Sequence, residues 1–319
     1  HNIGYFFYNG GGDSADTCLK VSKISKKLGY PIQAIHIPKT IDNDLPFTDS
    51  SPGFGSVAKY VATSVREASL DIQSMCASST KVFILEVMGR HAGWIAASGG
   101  LAKDQIGDAP HIILFPEVAF SRGKFIDKVE LTVSKKGYCV VVASEGIRYR
   151  DGAHISGSLH KDAFGHQQLG GVAPALASMI KQSMGYKYHW ALADYLQRSA
   201  RHLASKTDVQ QSYAVGRQAV QLALQGKTSV MVTINRDKGS DYGWSLGEAC
   251  LSKVATQEKK SPRSFITRDG FGITKKARDY LNPLIAGEDH PPYKNGLPHY
   301  VSLKKVMVGK KIRRYSPAF

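Results

Sequence analysis

Ile32-Gln33-Ala34-Ile35-His36-Ile37-Pro38-Lys39-Thr40-Ile41-Asp42-Asn43-Asp44 is the stretch around which the chain is organised. Ile32 to Ile37 is an apolar run of strand length, and Pro38 ends it, because proline has no N–H to give to a ladder. Pro38 to Asp44 then carries a cation, a hydroxyl and two carboxylates. In an open α/β sheet, ligands bind beyond the carboxyl ends of the strands. Asp42 and Asp44 are two apart, so an extended backbone points them the same way. Such a pair can divide labour, one carboxylate taking a proton and the other holding a metal. Taken alone, Asp-Asn-Asp reads equally as a turn whose side chains cap the backbone.

Strands and helices alternate on both sides of this stretch. Ile3 to Tyr8 reads as a strand, and Ser14 to Leu28 as a helix with Ser14 as N-cap and Gly29 as its stop. Ala58 to Met75 has helical spacing, with Val61, Val65, Ala68 and Ile72 on one face. A strand over Lys81 to Val87, a helix over Gly93 to Leu101, a strand over His111 to Phe115 and a helix over Phe125 to Val133 follow. Tyr138 to Ala143 is apolar throughout, as expected of a strand covered on both faces. Beyond Glu145, helices over Val172 to Met184 and Ala200 to Leu224 and a strand over Ser229 to Ile234 suggest a second lobe. The tail from Ser261 is rich in Gly, Pro and charge and holds a helix over Thr274 to Leu281. Repeated β-α-β units with short connections imply an α/β fold, with doubly wound, mainly parallel sheets in two lobes.

A length of 319 residues suits one large or two medium domains. No apolar run approaches the ~18 residues of a membrane span. The chain opens with His1-Asn2 and enters an apolar run directly, so no signal peptide is expected and a missing front part is. Cys18, Cys76, Cys139 and Cys250 are far apart and read as free thiols in a reducing cytoplasm rather than as a zinc site. A formal net charge of +16 predicts anionic partners, either phosphorylated small molecules or nucleic acid. Basic residues thicken at Lys304-Lys305, Lys310-Lys311 and Arg313-Arg314, but no RNP motif, zinc finger or arginine-rich arm accompanies them. Charge alone therefore carries a nucleic-acid reading, and a solvated basic face accounts for most of the lysines.

Three further strand ends carry chemistry. Gly10-Gly11-Gly12-Asp13-Ser14 links the first strand to the first helix. Glycines permit close approach to a ligand, and the helix start offers free N–H groups and a positive dipole end. Met88-Gly89-Arg90-His91-Ala92-Gly93 follows the third strand; Arg90 offers a planar fork for phosphate or carboxylate, or else a surface ion pair. Glu145, in Ser144-Glu145-Gly146, ends a buried strand and can accept from sugar hydroxyls, or else cap a loop. These ends are expected to converge on one edge of a sheet.

Together these residues resemble the phosphofructokinase superfamily. Lys39-Thr40-Ile41-Asp42-Asn43-Asp44 and Met88-Gly89-Arg90-His91-Ala92-Gly93 match two of its signatures in order and spacing, and Glu145 matches a third. Asp162-Ala163-Phe164-Gly165-His166-Gln167-Gln168-Leu169-Gly170-Gly171 and Tyr195-Leu196-Gln197-Arg198 look like the pyrophosphate-using branch. The resemblance implies phosphoryl transfer to the 1-hydroxyl of fructose 6-phosphate, in glycolysis. It makes Asp42 the base, with Lys39, Asp13 and Arg90 completing the catalytic set. Thr40, Ile41, Met88, Gly89, Arg90, Glu145, Tyr195, Leu196, Gln197 and Arg198 become sugar-phosphate contacts. Lys81 falls where relatives reach a phosphate across a subunit interface, which implies a homodimer, and His189 falls where many carry an arginine for that task. Residues 1–145 become a donor and catalytic lobe, 146–260 a sugar-phosphate lobe and 261–319 a C-terminal extension.

Donor choice turns on Asp13 and Lys39, where ATP-using relatives generally carry glycine. A carboxylate at Asp13 crowds and repels ATP; at about 4 Å and an effective dielectric of about 20, one like-charge pair costs roughly 4 kcal/mol. Lys39 can stabilise the phosphate that leaves pyrophosphate. Pyrophosphate is the expected donor and Mg2+ the expected cofactor. Gly12 stands where relatives present Asp or Asn near the metal, which leaves Asp13, Asp44, pyrophosphate oxygens and water as ligands. Rival readings are an ATP-dependent 6-phosphofructokinase and a non-catalytic sugar-phosphate-binding subunit or inactive fragment.

Overall fold

The computed structural model describes residues 3–105, 107–155, 171–239, 241–307 and 309. In chain order the elements are β1 (Tyr5–Gly10), α1 (Gly12–Lys27), β2 (Gln33–Pro38), α2 (Phe54–Met75), β3 (Val82–Val87), α3 (Trp94–Ser98), β4 (Ile112–Leu114), α4 (Arg122–Lys136) and β5 (Cys139–Ser144). There follow α5 (Val172–Met184), β6 (Tyr188–Leu192), α6 (Asp194–Ser199), α7 (Lys206–Leu224), β7 (Val230–Arg236), β8 (Trp244–Cys250), α8 (Leu251–Val254) and α9 (Lys275–Leu281). A short hairpin, β9 (Tyr293–Lys294) and β10 (Leu297–Pro298), comes last.

The larger sheets have the orders β1-β2-β7-β8 and β4-β5-β3-β6. In the first, β1, β2 and β7 are parallel and β8 runs antiparallel at the edge; the second is parallel throughout. The expected α/β class with mainly parallel sheets is therefore present. The sheets do not follow the division expected at residue 145. β3, β4 and β5 form the second sheet with β6, whereas β7 returns to pair with β2, Ile35 opposite Val230. The expected convergence on one sheet edge is corrected in the same way: the strand ends come from two sheets.

Period-2 side-chain direction explains how each sheet is covered on both faces. Ala34 and Met231 turn to the α1 side, where they meet Ala15, Cys18, Leu251 and Val254. Ile35 and Val232 turn to the other face, against Val215, Ala219 and Leu222 of α7. In the second sheet Ile84, Val141 and Ile112 pack on α4 and α5 through Phe125, Val129, Leu176 and Ile180. Leu85, Val140 and Val142 face α2 and α3 through Val61, Val65, Trp94 and Ile95. Phe265, Ile266, Ala277, Leu281 and Leu284 join that same core, so the segment 265–284 is a structural part of it.

Several local expectations shift. The N-cap of α1 is Gly11, not Ser14, because β1 runs to Gly10 and only one residue separates strand from helix. Gly29 does adopt a left-handed φ of 69° just past α1, as a helix stop requires. The helix expected over Ala200 to Leu224 is broken: a short 3-10 turn at Arg201–Leu203 precedes α7, whose N-cap Ser205 accepts from the Asp208 N–H. Thr274 caps α9 in the same fashion, onto Ala277. Gly93 to Leu101 is a short α-helix followed by a 3-10 turn at Gly99–Ala102. Among the described residues no helix is long and apolar enough to cross a membrane.

Candidate active site

A cavity of 730 Å³ lies where the tips of the two sheets meet, and its walls include Gly11–Ser14, Lys39–Asp42, Asp44, Met88, Arg90, Glu145 and Arg198. Strand register puts them there. Gly10 pairs with Pro38, so the Gly11 turn stands beside Lys39. Val87 pairs with Ser144, so Met88 and Gly89 stand beside Glu145. The first sheet supplies the glycine turn and the Asp42 turn, and the second supplies Arg90 and Glu145.

The backbone of the Asp42 segment is a turn, which corrects the extended reading. Asn43 is fully buried with φ of 53°, a left-handed conformation that Asn tolerates better than most residues. Its Oδ1 accepts from the Ser51 N–H at 3.0 Å, and the Asp42 N–H donates to Thr40 Oγ1 at 3.2 Å. Both carboxylates nonetheless face the cavity. Burial, and next the Glu145 charge, push Asp42 up to about 6, against the opposing pull of Arg90 and Arg198. Burial, and next Asp42, push Asp44 up to about 6 as well. Asp44 Oδ1 is buried without a hydrogen-bond partner among the described residues. A buried acceptor in that state is costly, and an oxygen-seeking cation would relieve it.

No side chain caps the first turn of α1, in contrast to α7 and α9, so its N–H groups are left toward the cavity. Gly10 does not line the cavity. A Cβ there would sit 2.0 Å from Ser14 Oγ, so glycine is needed to let Ser14 close over the turn. A Cβ on Gly12 would meet open space. Asp13 is exposed in that first turn, so water screens it and its repulsion of a like charge falls to about 1 kcal/mol at 4 Å.

Gly89 holds φ of 133°, which only glycine adopts without strain. Its N–H donates to Glu145 Oε1 at 3.3 Å, and its carbonyl accepts from the Ser144 hydroxyl. Burial raises Glu145 above the usual carboxylate range, with Gly89 and Arg90 opposing. The next turn of chain is pinned by Glu117, whose Oε1 accepts from the Gly93 and Ser261 N–H groups.

Not every expected contact is in the cavity. Tyr195 and Leu196 are 66% and 65% exposed and lie outside it; Tyr195 instead carries the Arg198 guanidinium on its ring at 4.8 Å. Gln197 is buried and lines an adjoining cavity of 390 Å³, which shares Lys39, Ile41 and Arg198. Lys81 precedes β3 at the end away from the cavity, with its ammonium on the Cys76 carbonyl. His189 pairs with Phe83 at that same end. Gln257 and Glu258 line the cavity, and sequence reasoning missed them inside a polar run. His91 Nδ1 lies 2.9 Å from Glu258 Oε1, within hydrogen-bond distance. The motif stretch Asp162 to Gly170 lies outside the described residues.

The phosphofructokinase family model matches residues 1–223. The chain belongs to the phosphofructokinase family. It is 64% identical over 315 residues to the pyrophosphate–fructose 6-phosphate 1-phosphotransferase of Halomonas elongata, covering 99% of this chain and 75% of that protein. It is 62% identical over 312 residues to the enzyme of the same name from Methylococcus capsulatus, covering 98% and 74%. The crystal structure of the pyrophosphate-dependent phosphofructokinase from Marinobacter aquaeolei superposes with a TM-score of 0.90 at 61% identity, covering 98% of this chain and 75% of that one. This phosphofructokinase-family chain keeps both Asp13 and Lys39 on the cavity wall.

Proposed function

We propose that this protein transfers a phosphoryl group from pyrophosphate to the 1-hydroxyl of fructose 6-phosphate, reversibly, giving fructose 1,6-bisphosphate. The observation that carries the reading is the single cavity shared by the glycine turn, Lys39, Asp42, Arg90 and Glu145. Phosphoryl transfer has a loose transition state, so catalysis is mainly positioning and charge neutralisation. Arg90, Lys39 and the first turn of α1 supply positive charge and N–H donors. Met88, Gly89, Glu145 and Arg198 hold the sugar phosphate, with Thr40 and Ile41 closing the wall. Asp42 accepts the hydroxyl proton. Raised to about 6, it is a stronger base than an ordinary aspartate and is still ionised at neutral pH.

The residues present fit Mg2+. Asp44 offers an unsatisfied oxygen, Asp13 stands at the rim, and a hard cation that keeps several waters needs few protein ligands. Mg2+ held there would neutralise pyrophosphate charge. The reading includes a homodimer in which Lys81, which lies outside its own chain's cavity, serves the second copy's site. A cytoplasmic setting is supported by four unpaired thiols.

Steady-state assays with each donor test the reading. Turnover with pyrophosphate well above that with ATP is expected, and a preference for ATP overturns it. Asp42→Asn lowers kcat by about 100-fold to 10,000-fold if Asp42 is the base.

A further inference from the structure

The Asp42–Asp44 turn is gripped from behind by the C-terminal part of the chain. Lys259 Nζ lies 2.9 Å from the carbonyl oxygens of both Thr48 and Asp49, and 3.5 Å from Asn43 Oδ1. Those oxygens match the three donors of an ammonium. The Lys259 N–H donates to the Asp44 carbonyl at 2.6 Å, and its own carbonyl accepts from Trp94 Nε1 at 2.9 Å. The ammonium also stands 5.3 Å from the Trp94 ring centre. Tyr280 closes the cage: its hydroxyl accepts from Asn43 Nδ2 at 3.1 Å and donates to the Asp49 carbonyl. Asn43 is flanked by the two cavity aspartates, so whatever fixes Asn43 fixes Asp42.

The neighbours of Lys259 reach the other sheet. Glu258 meets His91, and the Ser261 N–H donates at 3.0 Å to Glu117 Oε1, which also holds the Gly93 N–H. These ties are unequal. The His91–Glu258 pair is 42% and 47% exposed, and exposed pairs contribute little. The Lys259 ammonium is turned inward onto backbone oxygens, and loss of the cation removes the Thr48 carbonyl's one donor among the described residues and one of two donors each from the Asp49 carbonyl and Asn43 Oδ1.

We infer that Lys259 is a positioning residue, holding the Asp42 turn of the first sheet at a fixed distance from the sugar-binding turns of the second. This rests on the phosphoryl-transfer reading above. Met88, Arg90 and Glu145 ride on the second sheet and do not depend on the cage, whereas Asp42 does. Loss of Lys259 therefore reads out in turnover and not in sugar binding.

Lys259→Met keeps the stem and removes the ammonium. In the full-length protein, kcat falls about 100-fold, the cost of misplacing a reacting group by an ångström, while KM for fructose 6-phosphate stays within about threefold. Amide hydrogen exchange speeds up over residues 42–51 and stays at the wild-type rate over the Met88 turn. Lys259→Cys alkylated with 2-bromoethylamine rebuilds an ammonium of lysine length and restores kcat, with identically treated wild type as the control for the other thiols. A purely structural loss, represented by Val129→Ala on the buried face of α4, lowers Tm without changing exchange over 42–51. Wild-type kcat in Lys259→Met, unchanged exchange over 42–51, or failure of the rebuilt ammonium to restore rate overturns the inference. If the wild type turns over neither donor, the functional reading fails, and the exchange measurement still decides whether Lys259 holds the turn.

Discussion

Gly146→Ala probes how tightly the Arg90 and Glu145 turns of the cavity wall are joined. Gly146 follows Glu145, and a Cβ built on it would lie 2.0 Å from the Arg90 carbonyl oxygen and 2.6 Å from both the Arg90 carbonyl carbon and the Gly89 oxygen. All three are backbone atoms, so no flexible side chain can swing aside. Real Cβ contacts essentially never come below 3.0 Å, so the turns must separate by an ångström or more. Overpacking of this kind costs about 1–3 kcal/mol, which a domain with 5–15 kcal/mol of stability survives. The catalytic cost is larger in proportion. An ångström of misplacement in a site that works by positioning loses about 100-fold in rate. Gly146→Ala is therefore expected to fold, with Tm lowered by no more than about 10 °C. Its kcat/KM for fructose 6-phosphate should fall about 100-fold. Gly123→Ala, whose Cβ meets nothing within 4 Å, is the matched control and should keep the wild-type kcat/KM. A folded Gly146→Ala protein with kcat/KM within about threefold of wild type would refute the placement of Arg90 and Glu145 in one rigid wall.

Gly12→Asn places a metal-ligating oxygen in open space at the cavity rim, and it is expected to lower the Mg2+ concentration giving half-maximal rate; an unchanged Mg2+ dependence rules out a weakened metal site at Gly12. Gly216→Ala lies inside α7 with nothing within 4 Å of the added methyl, and denaturant melts should show it more stable by about 1 kcal/mol. Burial pushes His36 and His111 down to about 4, and Lys103 and Lys136 add to the shift at His111, so the unfolded chain binds more protons between pH 4 and 6.5 and stability is lost as pH falls through that window. His111 Nδ1 accepts from the Val140 N–H at 3.0 Å, a role Asn can fill without titrating; relative to His111→Asn, the wild type should lose about 2 kcal/mol between pH 7 and 5, and parallel pH profiles would exclude it.

What the sequence disclosed follows from which signals are local. Strands buried on both faces, such as β5 with every residue buried, announce themselves as apolar runs. β6 does not, because it is an edge strand with His189 and Trp190 exposed, and its composition matches a loop. β8 is also an edge strand, and its exposure pattern changes phase at Gly247, so no unbroken period-2 signal marks it. The turn at Asn43 was legible as an Asx-type turn, and the extended alternative lost because Asn43 is needed to accept from Ser51. Sheet membership was not legible: nothing local to Val230–Arg236 says that it returns to β2 across almost two hundred residues of chain. Lys259 and Lys260 are identical in sequence terms, yet Lys260 is exposed and Lys259 reaches the oxygens behind the Asp42 turn. That difference exists only once the chain is folded.

The width of the cavity is fixed by ties on two sides, and this accounts for a polar cost the fold bears. Asp208, in the first turn of α7, is buried, and burial raises its carboxyl above the usual range. It accepts from the Gly53 N–H at 2.9 Å, the Ser56 N–H at 3.1 Å and the Ser56 hydroxyl, filling the start of α2. α7 packs on the first sheet and α2 on the second, so this carboxylate joins the two layers beside the cavity. Residues 258–261 join them on the Asp42 side. A hydrophobic interface alone would hold the layers together yet permit sliding, since apolar contact has no preferred direction. Hydrogen bonds from backbone N–H groups to a buried carboxylate have both direction and length. For a reaction whose catalysis is mostly placement of charge, a carboxylate that caps a helix across the layers sets the spacing between Asp42 and Arg90 as surely as the residues on the cavity wall.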